Sequence, residues 1–124
     1  MFSEYPINRK TQENHVPASV FKSTDDGRSW QSVFTMDFPE IRHFHTCTAL
    51  QNGEWLVTSG DSPNQCRFWK SSDKGDNWIE ITNTNPNVNA YNNHKQSIHR
   101  TVVMHLDGKG CIWATDDPDR KSVV

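Results

Sequence analysis

Arg42-His43-Phe44-His45 places two imidazoles at alternate positions behind a guanidinium. In an extended strand successive side chains point to opposite faces, so His43 and His45 are expected on the same one. Imidazoles take up and deliver protons near neutral pH, and a carboxylate such as Asp61 on a neighbouring strand would orient one of them as a general base. The same pair could ligate a transition metal. Spacing offers no third ligand, so neither a metal site nor a cofactor is assigned. A blander reading keeps these imidazoles and carboxylates bonded to loop backbone in a polar channel. Arg100 carries a planar fork suited to the carboxylate of an acidic sugar, or equally to a structural pair with Asp61 or Asp116. His43, His45, Asp61 and Arg100 are therefore the candidate catalytic set.

Strands must position these groups. No long apolar period of 3.6 residues is present, whereas short alternating runs rich in Val, Thr, Phe and Trp recur between clusters of Gly, Asn, Asp and Pro. The fold class expected is all-β, with strands over residues 18–22, 30–36, 43–50, 55–59, 67–70, 78–82, 100–106 and 111–115. Gln51-Asn52-Gly53-Glu54 and Asp107-Gly108-Lys109-Gly110 read as tight hairpin turns, because Asn-Gly and Asp-Gly supply positive φ angles.

Two further connections share one pattern. STDDGRSW, from Ser23 to Trp30, and SSDKGDNW, from Ser71 to Trp78, both read Ser-x-Asp-x-Gly-x-x-Trp. Ser and Asp side chains bond to nearby backbone N–H groups, Gly admits a left-handed conformation, and Trp is expected to close the turn by burying its ring in the adjoining core. The residues Ser23, Asp25, Gly27, Trp30, Ser71, Asp73, Gly75 and Trp78 are thus assigned a structural role. Neither copy has the alternate oxygen ligands and downstream Glu of a calcium loop.

The octets resemble the Asp-box, or BNR repeat, of sialidases and related β-propellers. VFKSTDDGRSW, IRHFHTCTAL, WLVTSGDSPNQCRFWKSSDKGDNW, HRTV and IWATDDP together look like a consecutive stretch of larger sialidase-like BNR proteins. The likeness covers almost the whole chain. It reaches sialidases proper only through the Asp-boxes, since a Phe-Arg-Ile-Pro motif, three spaced arginines and a Tyr-Glu pair are not evident. The resemblance implies four-stranded antiparallel blades, with each octet joining the third and fourth strands on the rim away from the active site. Residues 1–36 would then end one blade, 43–82 form a complete blade and 99–117 start the next. Two blades cannot close a ring, so a longer propeller or an assembly of copies is expected, with a trimer giving six blades.

Antiparallel connectivity then sends the loops 5–17, 37–42, 60–66, 83–99 and 116 onward to the rim opposite the octets. Ligand-binding candidates there are Glu4, Arg42, Ser62, Tyr91, His99 and Asp116, with the Asn-rich 83–96 loop able to bond sugar hydroxyls and Tyr91 to stack on a sugar face. A solvated insertion is the alternative for that loop.

Composition narrows the partners. The 124 residues amount to a single domain's worth of chain, with net charge -2 and scattered Lys and Arg, which gives nucleic acid or a membrane surface little to bind. No apolar run approaches the ~20 residues of a membrane span, and Met1-Phe2-Ser3-Glu4 lacks a signal-peptide start, so a cytoplasmic product is expected as written; a fragment of a secreted protein would leave the compartment open. Cys47, Cys66 and Cys111 are odd in number without CxxC spacing, hence neither disulfide framework nor zinc site. The leading functional expectation is a carbohydrate-binding propeller module taking a glycan or other small polar ligand. A glycoside hydrolase or polysaccharide lyase with a site assembled between subunits is the alternative, and a non-catalytic interaction remnant of a larger propeller is the third.

Overall fold

The computed structural model describes residues 1–4, 16–60 and 65–82, together with the backbone of the last two strands. Among the described residues nine strands occur in chain order: β1 (Phe2–Ser3), β2 (Ala18–Lys22), β3 (Gln31–Met36), β4 (His43–Ala49), β5 (Trp55–Gly60), β6 (Phe68–Ser71), β7 (Ile79–Glu80), β8 (Thr101–Leu106) and β9 (Cys111–Thr115). They form a three-stranded antiparallel sheet β1-β2-β3, a four-stranded antiparallel sheet β4-β5-β6-β7 and the antiparallel pair β8-β9. No α-helix occurs among the described residues, so the all-β expectation holds. Among them no helix is long and apolar enough to cross a membrane. The fourth strand of the second sheet is shorter than expected, with only Ile79 and Glu80 paired to Lys70 and Trp69.

The first two sheets share one core. Ala18 and Val20 of β2 meet Ile41, Phe44 of β4, Val57 of β5 and Trp69 of β6, all buried. Phe34 of β3 is the bridging ring. Its centroid lies 5.6 Å from that of Phe44 and 5.6 Å from that of Trp69, the latter edge to face. Phe44 in turn meets Trp69 edge to face at 5.9 Å. Burying a side chain such as Phe44 contributes roughly 1.5–3 kcal/mol, and each well-placed ring pair about 0.5–1.5 kcal/mol beyond that.

The register fixes which strand ends lie together. Lys22 pairs with Gln31 beside the first octet, whereas Ala18 pairs with Met36 at the other end of the same strands. In the second sheet Ala49 pairs with Trp55 and Trp55 with Ser71, which puts the Gln51–Glu54 turn and the second octet on one edge. His43 pairs with Gly60 at the other edge. The octet-bearing edge of the first sheet meets the second octet, because Lys22 Nζ lies 2.7 Å from Asp76 Oδ1 and the Met1 side chain packs over Gly75. The expected turn at Gln51–Glu54 is present: Gly53 has φ +83°, its N–H bonds Leu50 O at 3.1 Å, and Leu50 N–H bonds Glu54 O at 2.8 Å. The turn expected at residues 107–110 lies outside the described residues.

Candidate functional site

The two octets are built alike. Ser23 Oγ accepts from Gly27 N–H at 2.8 Å and donates to Asp25 Oδ1 at 2.8 Å. Asp25 also accepts from Ser29 N–H at 2.9 Å and from Ser29 Oγ at 2.6 Å. In the second copy Ser71 and Asp73 do the same, with Gly75 N–H at 2.8 Å from Ser71 Oγ, and Asn77 N–H and Nδ2 at 2.8 Å and 2.7 Å from the carboxylate. Asn77 stands where Ser29 does, so amide and hydroxyl serve the same end. These bonds to the ionised form hold Asp25 and Asp73 well below the usual carboxylate range, at about 2 each, with the side-chain bonds from Ser29 and Asn77 the largest cause.

Trp78 meets the expectation of packing on the core, and Trp30 departs from it. Each ring folds back over its own turn, with Trp30 Nε1 donating to Gly27 O at 3.1 Å and Trp78 Nε1 to Gly75 O at 3.0 Å. Trp78 then packs on the core, but Trp30 remains 46% exposed, covered only on one edge by Phe2 at 4.9 Å. The first ring is therefore a lid on its turn rather than a core residue. Asp25 and Asp73 spend their carboxylates within their own turns, and Asp76 pairs with Lys22 of the neighbouring sheet.

At the opposite edge the loop 37–42 sets the start of β4. Asp37 Oδ1 accepts from Phe38 N–H at 2.7 Å, Ile41 N–H bonds Asp37 O at 3.2 Å, and Ile41 is plugged into the core. Gln65 Nε2 reaches Pro39 O at 3.3 Å, and Arg67 clamps Glu40 at 3.0 Å and Glu80 at 3.8 Å. Arg42 follows, half-buried, and leads directly into His43.

His43 and His45 do come together, with their Nε2 atoms 3.0 Å apart and ring centroids at 5.0 Å. His43 is buried, at 3% exposure, while His45 is half-buried. The backbone departs from regular alternation here: Phe44 pairs with Ser59 and Thr46 with Thr58, so His45 is the extra residue of a bulge. Gly60 makes room for it, since a Cβ there would sit 2.5 Å from His45 Cε1. Sequence reasoning missed Gly60; its signal was a glycine ending a strand directly before an acidic residue. A 3.0 Å contact between two ring nitrogens requires one Nε2–H donor and one bare Nε2 acceptor, so at least one ring is neutral when the contact is made. Such a pair can relay a proton between the half-buried and the buried ring.

Glu4 lies at the same end of its sheet, where its N–H bonds Ser19 O at 2.9 Å and its Oε2 accepts from Ser19 N–H at 2.8 Å. One carboxylate oxygen is thereby spent on closing the β1-β2 ladder. Asp61, Ser62, Tyr91, His99, Arg100 and Asp116 lie outside the described residues. The backbone of β4 approaches β1, β2 and β8, so Thr101, the residue after Arg100, begins a strand neighbouring the histidine-bearing one.

The described residues thus define an all-β chain of short antiparallel sheets with two matched Ser/Asp/Gly/Trp elbows on one edge and a histidine pair on the other. Comparison with protein-family models, with curated proteins and with solved structures gives no match.

Proposed function

We propose that the chain is part of an Asp-box β-propeller that binds a glycan or other small polar ligand at the strand ends opposite the elbows. One observation carries this reading: the motif carboxylates Asp25 and Asp73 are consumed within their own turns, while the paired imidazoles of His43 and His45 stand at the other edge. Arg42 and the remaining bonding capacity of Glu4 add to that edge, and Ser62, Tyr91, His99 and Asp116 are proposed to complete it. Sheets of three, four and two strands fit consecutive blades, and copies of the chain, three for six blades, would close the ring. In such a ring β1 and the β9 strand of a neighbouring copy both claim the second place of the shared blade, so one of the two is displaced when the ring closes.

Screening the assembled protein against acidic and neutral oligosaccharides tests the reading. Saturable binding that weakens on replacing Arg42 or His45 with Ala supports it, and no binding across both classes overturns it.

The 3.0 Å imidazole contact favours one further reading, a glycoside hydrolase or polysaccharide lyase in which the pair does acid/base work beside Asp61 and Arg100. Polysaccharide turnover that is abolished in His45→Ala distinguishes it from binding alone.

A further inference from the structure

We propose that His43 and His45 chelate a borderline divalent cation, Zn2+, Ni2+ or Cu2+, through their two Nε2 atoms, with solvent or an oxygen ligand in the remaining positions. Metal–imidazole bonds of about 2.0–2.1 Å put two nitrogens that share one ion about 2.9–3.4 Å apart, from right-angle to tetrahedral geometry. The observed separation of 3.0 Å falls within that window before any ion is present. Occupancy replaces the bridging proton by the ion and turns the two rings so that both Nε2 lone pairs meet at one point. The Nε2–H that now bridges the rings leaves to solvent or its ring takes the Nδ1–H tautomer, and both Nε2 lone pairs go to the ion.

The chelate is held from behind. His43 is buried and paired across the sheet with Gly60, and the His45 ring occupies the space that any larger residue at position 60 would fill. Little ordering entropy remains to be lost when the ion arrives. Imidazole nitrogens select this group of metals over Mg2+ and Ca2+, which take oxygen ligands. Among the described residues no group of three His, Cys, Asp or Glu surrounds a common point, so the described residues supply two ligands and the remaining positions are open to solvent or a further oxygen ligand. A site of that kind holds exchangeable ligands rather than stabilising the fold.

The inference does not depend on glycan binding and is tested without a sugar. The wild-type chain is titrated with Zn2+ against a chromophoric chelator, and its Cu2+ complex is examined by electron paramagnetic resonance. One ion at micromolar affinity, with coupling to two imidazole nitrogens, is expected. His45→Ala should weaken binding at least tenfold. Gly60→Ala, which keeps both imidazoles but displaces one ring, should weaken it as well. A variant in which His15, His94 and His105 are all replaced by Ala should retain the wild-type affinity. Affinity no tighter than millimolar, an unchanged affinity in His45→Ala, or a single coupled nitrogen overturns the proposal. The resonance spectrum uses the wild-type chain and decides the matter even where a variant fails to fold.

Discussion

Phe34 of β3 lies flat against Trp78, the closing residue of the second elbow, with centroids 5.4 Å apart and planes at 14°. One sheet therefore rests on the turn of the other, and the two elbows are not equivalent in energy. Trp78→Ala is expected to cost about 3 kcal/mol or more, as for large aromatic truncations in cores, whereas Trp30→Ala, which uncovers only its own turn and Phe2, should cost about half as much. Denaturant midpoints of the two variants measure the difference, and equal losses would contradict the asymmetry.

Acid sensitivity should reside in the elbows. Asp25 and Asp73 sit at about 2 in the folded chain, below an ordinary value of 3.8. A depressed folded value means that their stabilisation is present above the unfolded value and is lost as pH falls from about 4 towards about 2. Unfolding midpoints followed over that range should drop for the wild type. Asp25→Asn and Asp73→Asn combined should lower stability at neutral pH and flatten the slope.

Left-handed backbone is used twice in each turn, at Asp26 (φ 57°) and Gly27 (φ 83°), and at Lys74 (φ 60°) and Gly75 (φ 91°). Lys74→Gly should therefore relieve strain and stabilise by a few tenths up to about 1 kcal/mol. Gly75→Ala should destabilise more than Gly27→Ala, because a Cβ at 75 would also stand 2.8 Å from Met1 Sδ, while at 27 it would meet nothing closer than Trp30 Cζ2 at 3.6 Å. Thermal midpoints of the three variants test the order.

The Cys47 thiol is pushed up to about 11 by burial. Thiolate is the nucleophile, so alkylation of Cys47 at pH 8 should be far slower in the native chain than in denaturant. A Cys66→Ser, Cys111→Ser background isolates it, and native labelling as fast as unfolded labelling would refute its burial.

Local features of the fold were legible in the sequence where a few neighbouring residues decide them. Ser23, Asp25 and Gly27 close their turn on one another, so the motif alone announces it, and Asn52-Gly53 does the same for its hairpin. The meeting of His43 and His45 was also anticipated, from strict alternation, yet it occurs on a bulge, and what admits the second ring is the absence of a side chain at Gly60 on the adjoining strand. That is a cross-strand fact with no mark near the histidines themselves. Trp30 misled for the same reason: its ring chemistry matches that of Trp78, but only Trp78 has Phe34 standing over it. The carboxylate of Glu4, expected to face a ligand, was instead partly committed by a ladder partner, Ser19, fifteen positions away.

Each elbow closes its turn by bonds within eight consecutive residues, from Ser23 to Trp30 and from Ser71 to Trp78. Closing so short a segment takes microseconds or less, whereas bringing distant segments together is the slow part of forming a β structure. The hairpins β2-β3 and β6-β7 can consequently zip first, as independent nuclei, and the rate-limiting event becomes the seating of Phe34 among Phe44, Trp69 and Trp78.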